Sequence, residues 1–197
     1  MPIKRLIAVL LLASTLHAAS LVTAYSFATT QNNITGCYGM RITTAASTTT
    51  YLQLGIYCAS GNTGNHTVYV LASGSYSVVG SAVVSLTGCT PGNTYYGSTS
   101  VTLNAYSYYY IVTPVTNGGQ NWYAEAPITL NATYGNSPRG AYSATACTAN
   151  PVMTGDNAGQ AYVGFDASTT AAPPTFTPRA GQVADVAPTK GHAAGER

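Results

Sequence analysis

The chain has 197 residues, of which 46% are hydrophobic and only 6% are charged, and its formal net charge at pH 7 is +2. Two of its seven basic residues, Lys4 and Arg5, precede an apolar run at the N-terminus, and without them five basic residues stand against five acidic ones. A body with a net charge near zero lacks the basic surface that nucleic-acid binding requires, whereas near-neutrality favours association of like chains.

The N-terminus has the layout of a secretory signal peptide. An apolar run, "LIAVLLLASTL", follows the two basic residues and is too short to span a bilayer. The triplet "VTA" that ends at Ala24 offers small residues for cleavage, which predicts a signal peptide over residues 1–24. A cut near Ala18 or Ala19 is the alternative, and a retained anchor is disfavoured by the polar residues that end the run. We expect a secreted chain with no membrane span after cleavage.

The stretch that follows, residues 25–170, predicts one all-β domain. Short segments rich in Thr, Tyr and Val alternate with Gly, Asn and Ser turns, and helical periodicity is absent. In "TTTYLQLGIYC" the alternation places Leu52, Leu54 and Ile56 on one side and Tyr51 and Gln53 on the other. The pattern is typical of an antiparallel β-sandwich, either immunoglobulin-like or jelly-roll-like.

A band of tyrosines lies in "TSVTLNAYSYYYIVT", which predicts one long strand over residues 99–113. Alternation places Tyr109 in the core, with its hydroxyl near a polar edge. On the opposite face it aligns the rings of Tyr106, Tyr108 and Tyr110. Such a stripe suits either a contact with another subunit or a sheet face covered by a loop of the same chain. A lectin-like sugar platform is a further alternative.

The last strands and the tail differ in composition. In "NWYAEAPITLNAT" the alternation places Trp122, Ile128 and Leu130 on one side of a strand. Residues 171–197 are rich in proline and alanine, which predicts an extended or disordered tail.

Four cysteines, an even number in a chain predicted to be secreted, indicate two disulfides with three possible pairings. No two of them have the CxxC spacing of a zinc or haem site, and the histidines stand far apart, so neither a metal nor a cofactor is expected. The cysteines are Cys37, Cys58, Cys89 and Cys147.

Three acceptor motifs for N-glycosylation begin at Asn33, Asn65 and Asn131. Asn65 falls in the clearest turn of the sequence. In a chain so rich in Asn and Thr, such triplets also arise by chance. We expect an N-linked glycan in an archaeal host and none in most bacteria.

Signals for catalysis are sparse. There is no GxSxG nucleophile motif, and His66 lies within a glycosylation motif. The segments "YLQLG" and "NWYAEAP" resemble the Gln- and Glu-bearing segments of secreted glutamic peptidases, which implies a minority enzyme hypothesis. In it the carboxylate of Glu125 is the general base and the amide of Gln53 stabilises the oxyanion. The alternative is a surface Gln and a surface Glu, and we expect no enzyme activity.

The signal peptide, the uncharged Tyr/Thr/Asn-rich β body, the glycosylation motifs and the start "YSFATTQNNITG" together resemble the subunits of archaeal extracellular threads and bundling pili. The resemblance implies an incomplete sandwich that receives an N-terminal strand from the next copy. It places the donor strand at about residues 25–34, with Tyr25, Phe27 and Ile34 as interface residues. We therefore expect a structural subunit whose partners are copies of itself.

Overall fold

The computed structural model describes residues 19–26, 29–124, 126–155 and 158–170. Most of the predicted signal peptide, Phe27, Glu125 and the tail of residues 171–197 lie outside these ranges. The described residues form antiparallel strands and no helix, which confirms the all-β, sandwich-like class. The strands are β1 (Val22–Tyr25), β2 (Thr29–Gln31), β3 (Gly36–Thr44), β4 (Thr49–Tyr57), β5 (Asn65–Ala72), β6 (Val78–Ser85), β7 (Thr94–Leu103), β8 (Tyr108–Val115), β9 (Trp122–Ala124), β10 (Ala126–Leu130), β11 (Gly135–Ser143), β12 (Gln160–Ala161) and β13 (Phe165–Ser168).

The largest sheet has five strands in the order β11-β3-β8-β5-β6, and a second has the order β13-β4-β7. The two sheets meet where β6 runs close beside β7. A Cβ on Gly97 would lie only 2.1 Å from the carbonyl oxygen of Val83, and the hydroxyl of Thr99 donates to the carbonyl of Ser81 at 2.9 Å. Glycine is needed at position 97 because any side chain there would collide with the neighbouring backbone.

An N-terminal segment pairs with a segment about a hundred residues later. β1 pairs with β10, with Tyr25 opposite Ile128, and β2 pairs with β9, with Gln31 opposite Trp122. β10 also pairs with the short strand β12. The predicted cleavage point after Ala24 therefore falls inside strand β1.

A continuous apolar core fills the space between the sheets. It includes Met40 and Ile42 of β3, Ile111 of β8 and Phe165 of β13, each at most 1% exposed. Trp122 and Ile128 are buried in the same core, which confirms the alternation predicted for their segment. We call this cluster the inner core.

Strand β4 departs from the predicted alternation. Its pairing with β7 shifts between Tyr51 and Gln53, and such a bulge changes which side of the strand the following residues face. Tyr51 is therefore buried in the inner core together with Leu54 and Ile56, so the prediction that it faces away from them is wrong.

The opposite face of the five-stranded sheet carries a second buried cluster, which we call the outer cluster. The loop of residues 144–155 lies over this face and is held to β11 by two backbone hydrogen bonds of 2.7 Å between Tyr142 and Thr154. The buried members are Cys37, Leu71, Tyr110, Val112, Ala141, Cys147 and Met153.

The four cysteines form two disulfides, as predicted, and the structure decides the pairing. Cys37 bonds to Cys147, with Cα atoms 5.0 Å apart, and so ties the covering loop to β3. Cys58 bonds to Cys89, with Cα atoms 6.2 Å apart, and ties the end of β4 to the turn before β7. Cross-links that close long loops stabilise a fold mainly by restricting the unfolded chain.

Candidate interaction surface

The tyrosine band does not lie on one strand. Residues 104–107 form a turn between β7 and β8, so the prediction of a single strand over residues 99–113 is wrong. Tyr106 occupies this turn with a φ of 50° and is 75% exposed. A left-handed backbone is uncommon for a residue with a side chain, and here it directs a large ring into solvent. Tyr108 opens β8 and is 51% exposed.

The next two rings point to opposite sides of the sheet, yet both are buried. Tyr109 belongs to the inner core, as predicted. Its hydroxyl accepts a hydrogen bond from the backbone N–H of Asn104 at 3.1 Å. Tyr110 is only 7% exposed, because it belongs to the outer cluster that the loop of residues 144–155 covers. Its ring lies 5.8 Å from that of Tyr76. Tyr108 and Tyr110 therefore lie on the face opposite Tyr109, as predicted, and the alternative of a loop-covered face is met at Tyr110. The predicted alignment is wrong at Tyr106, which lies in the turn and not on the strand.

The exposed ring of Tyr108 has a cationic neighbour. The guanidinium carbon of Arg41 lies 5.2 Å from the ring centroid, within the range of a cation–π contact. Arg139 of β11 stands directly opposite Arg41 in the strand register. Within the described ranges, these arginines are the only Lys or Arg residues, and Asp166 is the only acidic residue.

Large exposed apolar side chains are confined to one part of the described molecule. Each of them lies on β6, β8 or β11 of the five-stranded sheet, in the turn before β8, or in the loop that covers the sheet's outer face. They are Val78, Val79, Val83, Tyr106, Tyr108, Tyr142 and Val152. We call this set the apolar surface. Exposed apolar side chains gathered on one part of a protein are typical of a contact surface.

Two of the predicted N-terminal interface residues contact their own chain. Tyr25 is half-buried, and its ring meets that of Tyr57 edge-on at 4.8 Å between centroids. Ile34 is half-buried against the inner core. Phe27 lies outside the described residues. The assignment of these positions to an interface between copies stays a prediction.

Of the two residues of the minority enzyme hypothesis, Gln53 alone lies in the described part of the chain. Gln53 is 6% exposed and stands between Ser98 of β7 and Ser168 of β13. Glu125 lies outside the described residues, so the Gln53–Glu125 pair stays a prediction. His66 packs its ring against Trp122 at 5.1 Å and bonds through Nε2 to the carbonyl of Thr63.

The three predicted glycosylation sites differ in accessibility. Asn33 and Asn65 are exposed, and Asn65 is the first residue of β5 rather than part of a turn. Asn131 is half-buried, and its side-chain oxygen accepts a hydrogen bond from the backbone N–H of Thr133 at 3.1 Å. Asn33 and Asn65 are therefore the more accessible acceptors.

One buried polar site was not anticipated from the sequence. Asp166 of β13 is fully buried, and its carboxylate accepts hydrogen bonds from the backbone N–H groups of Val22 at 2.9 Å and Ala167 at 2.8 Å. It also accepts from the hydroxyls of Tyr96, at 2.6 Å, and Ser20. The sequence signal for this site was an acidic residue between the apolar residues Phe165 and Ala167 of a predicted strand. A carboxylate buried in this way requires hydrogen-bond donors around it.

The pKa of Tyr51, whose ring lies near Asp166, is raised in the folded protein. Burial raises the pKa of Tyr51 well above its ordinary value, and the nearby Asp166 and Tyr134 raise that pKa further. Among the described residues, the hydroxyl of Tyr51 has no hydrogen-bond partner. This ring is therefore held neutral in the inner core.

No protein-family model matches the chain, and comparisons with curated proteins and with solved structures gave no match. The two disulfides are compatible with an extracellular protein. The described ranges include no helix long and apolar enough to cross a membrane, and within them no group of three or more side chains could hold a metal ion.

Proposed function

We propose that the chain is a secreted structural subunit that assembles with copies of itself into an extracellular filament or surface layer. The observation that carries this proposal is the concentration of exposed apolar side chains on the five-stranded sheet and the loops attached to it. All seven of those named above belong to the five-stranded sheet or to loops attached to it. A contact made through this apolar surface would remove its rings and valines from water, at roughly 25 cal/mol per Å² of apolar area buried.

The low charge of the body supports the same proposal. Of the three charged residues within the described ranges, Asp166 is fully buried, which leaves Arg41 and Arg139 on the outer face. Repulsion between identical copies is therefore weak, and few charged groups would lose hydration in a contact. Tyrosine suits such a contact, because it offers a large, stiff surface with a polar end.

The way the N-terminal segment pairs supports a strand-exchange version of the assembly. β1 and β2 are joined to the body through β10 and β9. The same backbone hydrogen bonds could form between copies, with the N-terminal segment of one chain placed against β9 and β10 of the next. Exchange that continues from copy to copy gives an open chain of subunits.

Assembly is tested by negative-stain electron microscopy and light scattering of the secreted product. We expect filaments or sheets in the unmodified protein and their loss in Tyr106→Lys/Tyr108→Lys. The matched control, Thr50→Lys/Thr102→Lys, adds the same charge at two exposed positions of β4 and β7 and should still assemble. A protein that stays monomeric at all concentrations, or a control that loses assembly equally, would contradict the role of the apolar surface.

Strand exchange is tested separately with a cysteine pair. Thr30 and Tyr123 are direct cross-strand partners, so Thr30→Cys/Tyr123→Cys should form a disulfide wherever that pairing exists. Exchange predicts covalent ladders on non-reducing gels of the assembled protein, whereas pairing within one chain gives only monomers. Thr30→Cys alone is the control for non-specific cross-linking.

A further inference from the structure

Residues just before the predicted cleavage point are built into the fold. Leu21 and Val22 are 0% and 1% exposed and belong to the inner core. The N–H of Leu21 donates to the carbonyl of Ala167 at 2.8 Å, and the carbonyl of Leu21 accepts from the N–H of Asn131, also at 2.8 Å. This backbone thus bridges the segment after β10 and strand β13, as an internal strand does.

The buried carboxylate of Asp166 depends on the same segment. Two of its four described donors, the hydroxyl of Ser20 and the backbone N–H of Val22, lie before Ala24. Cleavage after Ala24 would remove both donors together with the buried side chains of Leu21 and Val22, whereas a cut after Ser20 would remove only the Ser20 hydroxyl. A buried charge that loses hydrogen bonds is strongly destabilising. The folded domain therefore requires residues that the sequence pattern assigns to the leader.

We infer that the leader is removed on the N-terminal side of Leu21, at the small-residue triplet Ala18-Ala19-Ser20, and that residues 21–25 remain as a strand of the mature protein. This inference rests on the export assumed in the proposed function. The step is hydrolysis of one peptide bond, in which water supplies the hydroxyl of the new carboxyl end and a proton to the new amine. Small side chains at this triplet meet the requirement of a leader peptidase, whereas the "VTA" triplet is part of strand β1, whose backbone pairs with β10.

The mass of the processed protein tests this inference. The full-length precursor is exported in an oxidising host and the product is measured by intact mass and N-terminal sequencing. In parallel, purified precursor in detergent is cleaved with a leader peptidase, so that the result does not depend on export. We expect a first residue at position 19, 20 or 21 in both. A first residue at Tyr25, or no cleavage before Leu21, would overturn the inference.

Two variants test which of the two triplets is cleaved. Ala18→Gln/Ala19→Gln/Ser20→Gln should reduce cleavage in detergent at least tenfold, whereas Ala24→Gln should change it less than twofold. The reverse pattern would assign the cut to the second triplet. Electron microscopy of the same product tests the assembly proposal independently of the processing site. A start at 19–21 without filaments refutes only the assembly proposal, and filaments built from chains that start at Tyr25 refute only the processing site.

Discussion

The two faces of the five-stranded sheet are both apolar, but they are covered in different ways. The inner face packs against the second sheet, as in any sandwich. The outer face is covered in part by the loop of residues 144–155, which the Cys37–Cys147 disulfide ties down. The remainder of that face keeps Tyr108, Val78 and Val83 in contact with solvent. A single loop thus buries part of the second face of this sheet and leaves the rest exposed.

Neighbouring residues of β8 display this difference directly. Ile111 faces the inner core and Val112 the outer cluster, and both are at most 1% exposed. Tyr108, at the start of the same strand, is half exposed because the loop does not reach it. Exposure along β8 is therefore set by how far the loop extends, and alternation alone does not account for it.

The largest expected effect comes from releasing the loop. Removing Cys37–Cys147, as Cys37→Ala/Cys147→Ala, opens a loop of 110 residues and should lower the free energy of unfolding by about 5 kcal/mol, against about 4 kcal/mol for the 31-residue loop closed by Cys58–Cys89. Chemical denaturation measures both. Only the first variant should gain a protease-sensitive site within residues 144–155. Equal protection of this loop in both variants would show that the disulfide is not what holds it.

A pair of truncations compares the packing of the two faces. Ile111→Ala in the inner core and Leu71→Ala in the outer cluster each remove side-chain atoms at positions no more than 1% exposed. Each should cost about 2–5 kcal/mol in urea unfolding. A cost below about 1 kcal/mol at Leu71 would mean that the loop shields the outer face without packing on it. Val152→Ala, in the exposed part of the loop, is the control.

Tyr51→Phe should stabilise the protein at pH 7 by about 1 kcal/mol, since it removes a buried hydroxyl that has no partner among the described residues. The variant also changes the response to alkali. The pKa of Tyr51 in the folded protein is raised above its unfolded value of 10.0, so the unfolded chain releases this proton first. The free energy of unfolding is therefore not reduced by this group below pH 10 and falls as the pH rises further. The slope of that loss approaches about 1.4 kcal/mol per pH unit.

Denaturation between pH 8 and pH 11 measures this difference. The Phe variant should lose less stability above pH 10 than the unmodified protein. Some alkaline loss should remain in it, because burial and the neighbouring Tyr142 also raise the pKa of Tyr38. Identical curves above pH 10 would contradict the assignment.

The smallest effect is expected in the open part of the outer face. A double-mutant cycle of Arg41→Met and Tyr108→Leu should give a coupling free energy of about 0.5–1 kcal/mol, the range of an exposed cation–π pair. A coupling above about 2 kcal/mol would indicate a desolvated pair and would contradict an open surface. The same cycle on Arg139 is the control for the effect of charge alone.

Much of the fold could be predicted from local pattern. Strand-forming residues between frequent turns indicated an all-β body, and alternation placed Tyr109, Trp122 and Ile128 in the core. The prediction was wrong where local order breaks. The bulge after Tyr51 reverses the alternation, and the turn at Tyr106 ends a strand that composition alone would continue.

By itself, the sequence determined the all-β class, the even number of cysteines, the scarcity of charge and the core position of Tyr109. Each of these follows from composition or from the period-two geometry of a strand. Only the tertiary structure decided which cysteines pair, that a loop covers Tyr110, and that Asp166 binds the segment around Val22. These contacts join residues that lie far apart in the chain, so the free energy that selects them comes from packing and hydrogen bonding in the assembled fold.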